Sequence, residues 1–370
     1  MRQSPENESD KSGRHVAVVR FSALGDVAMT IPVLYAACAQ NPEVRFTMIT
    51  RRGLCGLFVN KPDNLTIKGV DLKTDYAGPR GMWRLAGETD ADVLIDLHDV
   101  LRTKMLRGML RLKGCRTIVF DKARSLKRRF LKNPAECPTI RPTWLRYADA
   151  LAKAGLKTGQ HFKGLYAQTP ADNSLFSSLS APKAEGETWV GFAPFAAHRG
   201  KIYPPEYSEA LCRLICGEEG YRLFLFGGGP TETDTLRAWT RKAGGNAVCV
   251  AGSGIGMAGE LALMANLDAM ISMDSGNMHM AALTATPVLS IWGGTHPGTG
   301  FAPYPTCGTD SGTIMQRDLS CRPCSVFGNK PCSKGTYECM DIAPESICDA
   351  LCSILKNKRL SANNSLLTEN

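Results

Sequence analysis

The sequence contains no apolar run of about 18 residues, the length that a membrane-spanning helix needs. Its first 15 residues are polar and charged and lack the apolar stretch of a signal peptide. Both absences favour a cytoplasmic protein. The 14 cysteines are then expected to be mostly reduced thiols, because disulfides are rare in the cytosol.

Acidic residues are scarce in one part of the chain. Lys and Arg total 44 and Asp and Glu total 35, which gives a net charge of +9. Residues 102–132, called the basic segment below, contain 12 basic residues and one acidic residue, Asp121, so this segment accounts for the whole excess. It indicates a polyanionic partner: a nucleic acid, an acidic membrane surface or a phosphorylated substrate. A solvated helix face with extra basic residues is the alternative interpretation.

Short runs rich in Val, Ile and Phe alternate with stretches of helical length along the 370 residues. This alternation is typical of βαβ units and parallel sheets. The predicted strands are 16–21, 44–49, 65–70, 93–97, 117–120, 189–195, 222–226, 247–250, 269–273 and 288–292.

A polar stretch with prolines and glycine, residues 169–188, separates the strands into two sets of five and is predicted to be a linker. We therefore predict an α/β protein of two doubly wound, Rossmann-like domains that face each other across a cleft. Ligands should bind outside the carboxyl ends of the strands. The other predicted parts are a disordered tail at 1–13, an N-terminal domain at 14–168, a C-terminal domain at 189–355 and a frayed tail at 356–370.

Asp26 lies where the first predicted strand gives way to a helix, in the sequence SALGDV. Asp is a good residue near a helix N-terminus, and capping is the simpler interpretation of its spacing. The same position places a carboxylate beside the predicted cleft, where it could take part in chemistry. The two roles are compatible.

A second strand-to-helix turn, in the sequence MDSGNMH, contains five candidate residues. The backbone N–H groups of Ser275, Gly276 and Asn277 would point outward at the positive end of a helix, which favours a phosphate. Asp274 precedes them, and His279 lies one turn into the helix, where it could face the same ligand. A simple cap at Asp274 and an interior histidine at 279 are the alternative.

Two weaker signals follow other strands of the second set. A triglycine turn at 227–229 precedes Glu232 and would let a ligand approach the backbone closely, although no Gly-Lys-Ser/Thr follows it. Lys201 follows the first strand of that set and could offer a point charge to a phosphate.

Four cysteines lie within 19 residues, with the spacing Cys321-x2-Cys324-x7-Cys332-x6-Cys339. The first pair has the spacing of a structural zinc site, whereas the second pair does not. A structural zinc site, a redox pair and reduced structural thiols all stay open. The other ten cysteines are interpreted as small buried residues.

Taken in order, the SALGDV, triglycine and DSGNMH turns resemble glycosyltransferase family 9, the ADP-heptose:lipopolysaccharide heptosyltransferases, over roughly residues 14–350. The resemblance implies a GT-B fold, with an acceptor-binding N-terminal domain and a nucleotide-sugar-binding C-terminal domain. It implies inverting transfer that requires no metal cofactor. It also implies an ADP-sugar donor and a phosphorylated glycolipid acceptor, the lipopolysaccharide inner core.

The resemblance further implies roles for single residues. Asp26 matches the proposed general base of the family, and Lys201 matches the lysine that faces the donor diphosphate. Glu232 matches the acid expected at the nucleotide ribose, and Ile255 lies near the position that packs on adenine. The donor-binding turn is matched by Asp274, Ser275, Gly276 and His279.

The family gives the basic segment a candidate partner: the acceptor, or anionic lipid at the inner face of the cytoplasmic membrane. Nucleic acid is disfavoured, because only Phe120 and Phe130 interleave the charges and base stacking would be poor. The candidate anion-binding residues are Arg102, Lys104, Arg107, Arg124, Lys127, Arg128 and Arg129. Two alternatives stay open: a nucleic-acid-binding protein that uses the basic segment and a zinc-like cysteine cluster, and a GT-B nucleotide-sugar epimerase.

Overall fold

The computed structural model describes residues 13–159, 161–306 and 312–368, with side chains up to 360 in the last range. The disordered tail predicted at 1–13 lies outside these residues, apart from Gly13. Both halves of the chain form parallel sheets flanked by helices, as the alternation of strands and helices predicts.

The N-terminal half is a five-stranded parallel sheet with the order β3-β2-β1-β4-β5. Its strands are β1 (His15–Val19), β2 (Arg45–Arg51), β3 (Leu65–Val70), β4 (Val93–Asp96) and β5 (Arg116–Val119). Its helices are α1 (Leu24–Ala28), α2 (Ile31–Gln40), α3 (Gly78–Gly87), α4 (Leu101–Leu112), α5 (Arg124–Lys132) and α6 (Thr143–Lys153).

Strand β1 is buried on both faces, which explains its continuous apolar sequence. Leu85 of α3 and Leu106 of α4 pack on one face of the sheet. Leu34 of α2 and Leu151 of α6 pack on the other. This sandwich fixes the carboxyl end of β1, from which Asp26 follows.

The C-terminal half is a six-stranded parallel sheet with the order β11-β10-β9-β6-β7-β8. Its strands are β6 (Thr188–Ala193), β7 (Tyr221–Leu225), β8 (Ala247–Cys249), β9 (Ala269–Met273), β10 (Val288–Trp292) and β11 (Thr313–Gln316). Its helices are α7 (Pro205–Gly217), α8 (Pro230–Ala243), α9 (Gly256–Ala265), α10 (Gly276–Leu283) and α11 (Pro344–Thr368). All ten predicted strands are present, and β11 is an additional edge strand.

The last helix, α11, continues through residues 356–368, for which the sequence predicts a frayed tail. Two long-range contacts hold this extension against the sheet. The Lys358 ammonium lies 3.1 Å from Asp268 Oδ1, and the Arg359 guanidinium donates to Thr188 Oγ1 at 3.2 Å. Because these partners are distant in the sequence, the polar composition of residues 356–370 could not predict the contacts.

The two halves meet where α1 and α10 pack against each other. A second contact joins them nearby, since the amides of Ile140 and Thr143 donate to the carbonyls of Gly298 and Gly300 at 2.9 and 2.8 Å. None of the helices in the described part of the chain is long and apolar enough to cross a membrane.

Candidate active site

Asp26 is held at the third position of α1 by two contacts to the same carboxylate oxygen. Its Oδ2 accepts a hydrogen bond from the Ala23 amide at 3.2 Å and lies 2.6 Å from Arg20 Nη2. The capping interpretation is therefore right, and an ion pair is added to it. Oδ1 accepts no hydrogen bond from the described residues, so this oxygen can accept one from a ligand in the cleft.

Asp274 follows the last residue of β9 and forms a buried cluster with two residues of the same domain. Lys201 Nζ lies 3.2 Å from Asp274 Oδ2, and Thr295 Oγ1 donates to the same oxygen at 2.8 Å. The Lys201 and Asp274 side chains are only 13% and 9% exposed. The cluster therefore holds the lysine ammonium firmly at the carboxyl edge of the C-terminal sheet.

His279 lies between Asp26 and the Asp274 cluster. A Cβ atom built on Gly25 would lie 2.6 Å from His279 Cδ2, so α1 approaches the imidazole closely. Burial lowers the pKa of His279 to about 4, and the fields of Asp26, Asp274 and Lys201 all reach the ring. The imidazole is therefore neutral near pH 7, and the structure gathers charged groups of both domains around it.

The N-terminal turn of α10 faces α1 across the same contact. It begins at Ser275, whose side chain makes no capping hydrogen bond, and continues through Gly276 and Asn277. A Cβ atom on Gly276 would collide with the Leu24 side chain. The positive end of the α10 dipole is thus directed at the interface between the domains.

Glu232 and Ile255 lie farther along the same sheet edge. Glu232 Oε2 accepts a hydrogen bond from the Gly228 amide at 2.7 Å and so fixes the triglycine turn. Ile255 is half-buried at the start of α9. Glu232 follows β7 and Ile255 follows β8, the edge strand beside it, but their roles toward a nucleotide stay predictions.

A cavity of about 660 Å³ opens beside Asp26, between the two halves. Residues of the N-terminal half that line it include Arg20, Asp26, His98, Lys122, Arg124, Lys127, Arg128 and Arg146. Residues of the C-terminal half close it with the apolar side chains of Phe301, Val326 and Phe327. The cavity thus combines a cationic wall with an aromatic wall.

Lys127 joins these two walls. Its Nζ lies 4.2 Å from the centre of the Phe301 ring and 5.8 Å from that of Phe327, within the range of cation–π attraction. Burial, together with the positive charge of Arg146 nearby, lowers the pKa of Lys127 to about 7. Burial also lowers the pKa of His98, to about 3, so this lining residue is neutral.

The predicted anion-binding residues do not form one continuous patch. Arg124, Lys127 and Arg128 line the cavity. Arg107 instead lies 3.1 Å from an oxygen of Asp96 and 3.6 Å from one of Asp99. The remaining three are exposed on the outside of α4 and α5: Arg102, Lys104 and Arg129.

Three residues at the site were missed by sequence reasoning. Arg20 pairs with Asp26, and its position one residue after β1 was the available signal. Thr295 donates a hydrogen bond to Asp274 from the loop that follows β10. The buried Arg322 donates to the carbonyls of Trp292, Gly293 and Thr295 and thereby holds the loop that carries Thr295.

The cysteine-rich loop, residues 321–339, packs on this loop. The Cys324 amide donates to the Gly294 carbonyl at 2.8 Å, and Gly328 lies against the Lys201 side chain. In the parts of the chain that are described, no group of three or more His, Cys, Asp or Glu is arranged to hold a metal ion. The predicted ligand set Cys321, Cys324, Cys332 and Cys339 is therefore not assembled as a zinc site.

Comparison with known proteins identifies the family of the chain. The family model described as glycosyltransferase family 9 (heptosyltransferase) matches residues 80–332, more than half of the chain. The chain belongs to glycosyltransferase family 9. This glycosyltransferase is also 24% identical over 319 residues to lipopolysaccharide heptosyltransferase 1 of Pseudomonas aeruginosa, covering 84% of the chain and 85% of that relative.

Solved structures of the family share the architecture. A family 9 glycosyltransferase from Veillonella parvula matches with a TM-score of 0.72 and 18% identity, covering 95% of this chain and all (100%) of that one. The E. coli heptosyltransferase WaaC with ADP matches with a TM-score of 0.63 and 16% identity, over 92% and 99% of the two chains. The predicted GT-B fold is confirmed by these similarities.

Proposed function

We propose that this glycosyltransferase transfers a heptose or a related sugar from an ADP-sugar to a lipopolysaccharide inner-core acceptor, with inversion at the anomeric carbon. One observation carries the proposal: Asp26 of one domain and the Lys201–Asp274 pair of the other meet around His279. The names of relatives support the substrate class, since one is a lipopolysaccharide heptosyltransferase and another was solved with ADP.

Asp26 is the proposed general base. The acceptor hydroxyl loses its proton as its oxygen attacks the anomeric carbon, and the unoccupied Oδ1 can accept that proton. The Arg20 contact to Oδ2 and the Ala23 amide hold the carboxylate in place. A carboxylate here also suits an oxocarbenium-like transition state, because positive charge develops on the sugar.

Lys201 and the N-terminus of α10 are proposed to stabilise the leaving nucleoside diphosphate. Negative charge grows on the phosphate oxygens as the glycosidic bond breaks, and fixed positive groups lower the energy of that state. Lys201 is positioned by Asp274, and the amides of Ser275, Gly276 and Asn277 add the helix dipole. These two sources can replace a divalent cation, so we propose metal-independent transfer.

Donor recognition is assigned to the remaining carboxyl edge of the C-terminal sheet. Glu232 is proposed to accept hydrogen bonds from the ribose of ADP through Oε1, since the Gly228 amide donates to Oε2. Ile255 offers an apolar surface for adenine. The cavity beside Asp26 would hold the acceptor, with Arg124, Lys127 and Arg128 facing its acidic groups.

The acceptor implies a place of action. A lipopolysaccharide precursor is anchored in the cytoplasmic membrane, so we propose a cytoplasmic enzyme that associates peripherally with the inner face of that membrane. The cations outside the cavity then meet anionic lipid rather than nucleic acid.

The deciding experiment incubates the purified protein with ADP-heptose and a delipidated inner-core acceptor. We expect an extended saccharide whose new linkage, by NMR, has the anomeric configuration opposite to the donor. UDP- and GDP-sugars should be poor donors, and EDTA should leave the rate unchanged. Sugar isomerisation without acceptor would instead identify an epimerase and refute the proposal, and loss of transfer in EDTA would refute metal independence.

A further inference from the structure

The most exposed large apolar side chains of the described residues all lie on two neighbouring helices of the N-terminal domain. Leu112 is 84% exposed, Leu101 74% and Trp83 66%. Trp83 belongs to α3, Leu101 is the first residue of α4, and Leu112 is its last. Exposed apolar side chains that cluster on one surface mark an interaction site.

Helix α4 carries two opposite apolar stripes. Thr103, Leu106 and Leu110 face the core and are fully buried. Leu101, Gly108 and Leu112 follow the helical repeat along the outward side. Because the inner stripe already satisfies the core, the outer stripe has no packing role inside the domain.

The same surface is strongly cationic. Helices α3 and α4 contain six basic residues and no acidic residue. Five of the six are exposed around the apolar side chains: Arg80, Arg84, Arg102, Lys104 and Arg111. An aromatic and leucine surface rimmed by Arg and Lys complements anionic headgroups over a hydrocarbon layer.

The two helices are held side by side as one surface. They pack against each other. Lys113, the residue after α4, adds a link between them, because its ammonium donates to the Ala86 carbonyl of α3 at 2.8 Å. We name the exposed residues of α3 and α4 the outer helical face.

This face adjoins the proposed acceptor cavity. Val100 lines that cavity, and the next residue is the exposed Leu101. Arg124 and Arg128 line the same cavity and are also exposed. An acceptor whose lipid stays in a bilayer beneath the outer helical face could therefore reach Asp26 with its saccharide.

We propose that the outer helical face docks on an anionic bilayer by inserting Trp83, Leu101 and Leu112 into the interfacial layer, with the surrounding Arg and Lys on lipid phosphates. The inference deepens the proposed function, because it states how an enzyme without a spanning helix among its described residues meets a membrane-anchored acceptor. It divides the basic segment into cavity-lining cations and membrane-facing cations.

The test measures binding of the full chain to vesicles of equal amounts of phosphatidylcholine and phosphatidylglycerol. The double variant Leu101→Ser/Leu112→Ser should bind at least about tenfold more weakly, because burial of one leucine is worth more than a tenfold change in affinity. The matched control is Leu175→Ser/Leu214→Ser, which removes two exposed leucines elsewhere and should bind as the wild type does.

Insertion itself is read from tryptophan fluorescence with brominated lipids. Trp83 is the one highly exposed tryptophan of the five, so Trp83→Phe should abolish most of the quenching that the wild type shows. Equal binding of both double variants, or quenching that persists in Trp83→Phe, would overturn the proposal. The proposal would also be overturned if the wild type formed dimers that the Leu101→Ser/Leu112→Ser change dissociates, while vesicle binding stayed the same.

Transfer to the delipidated acceptor is measured in parallel. The Leu101→Ser/Leu112→Ser variant should keep wild-type rates there, because this acceptor needs no bilayer. Absence of transfer in the wild type together with normal vesicle binding would refute the proposed function and leave the docking surface in place.

Discussion

Asp26 illustrates how much a single residue reveals before a structure is known. Its place after a buried strand predicted both a helix cap and a cleft position, and both are found. Its partner Arg20 was not predicted, because the pairing depends on how the chain turns between β1 and α1. Sequence position thus located the carboxylate, whereas its electrostatic environment required the fold.

Under the proposed function, Lys127 makes acceptor binding depend on pH. Burial lowers its pKa to about 7, so its ammonium loses the proton as pH rises through that value, and attraction for an anionic acceptor weakens. We expect the KM for the acceptor to rise between pH 7 and 9 in the wild type. In Lys127→Arg, whose guanidinium stays charged, steady-state kinetics should show a KM that changes much less.

The exposed Arg129→Lys serves as the control, because it should preserve the wild-type pH profile. A wild-type KM that stays constant from pH 7 to 9 would argue against the role given to Lys127.

At the scale of elements, the strands were predictable because each is an apolar run between turn residues. The exception, β11, has the four residues Thr313–Gln316 and is only half-buried at the sheet edge, so its apolar signal is weak. Helix α1 ends at Ala28, and a separate helix, α2, begins at Ile31. Pro32 fits the start of α2, where its missing N–H does no harm.

The α1–α10 contact requires glycine on both sides. Gly25→Ala places a methyl group against the fully buried His279 ring, which cannot move aside without disturbing the Asp274 cluster. We expect the free energy of unfolding to fall by about 1–3 kcal/mol, the usual cost of overpacking. The kcat for transfer should fall at least about tenfold, because small displacements of reacting groups are costly.

Urea denaturation and initial rates measure these two effects. Gly217→Ala provides the control, since a Cβ atom at that helix end meets nothing within 4 Å. Wild-type kcat in Gly25→Ala would show that the close approach of the helices is not needed for transfer.

Arg322 gives the cysteine-rich loop a structural task that its spacing did not reveal. Its buried guanidinium satisfies three carbonyls at the end of β10, so Arg322→Met leaves them without a donor. We expect a loss of about 3 kcal/mol or more in the free energy of unfolding, because hydrogen bonds to a charged group contribute about 1.5–3 kcal/mol each.

Chemical denaturation at neutral pH measures this loss, with the exposed Arg213→Met as the matched substitution. A loss no larger than that of Arg213→Met would contradict the structural role given to Arg322. Zinc analysis of the same preparations tests the metal interpretation independently.

For the whole molecule, the main consequence of the fold is that both domains contribute residues to the candidate site. The triglycine and DSGNMH turns lie on one domain and Asp26 on the other, so the order of motifs along the chain predicted a cleft site. Some cations of the basic segment line the cavity and others lie on the outer surface. The sequence could not predict this difference, because tertiary packing decides which face of a helix contacts its neighbours. Zinc binding by the cysteine-rich loop stays a prediction, although the described residues contain no group of three or more ligands arranged for a metal ion.

The central claim is that Asp26 acts on the acceptor while the opposite domain holds the donor. The most direct measurement compares transfer rate and ADP affinity in wild type and Asp26→Asn, a change that keeps the capping oxygen but removes the base. We predict a loss of kcat of at least about a hundredfold with ADP affinity unchanged, because base catalysis contributes about 10²–10⁴-fold. Turnover within about tenfold of wild type, only about 1.4 kcal/mol of barrier, would contradict the account.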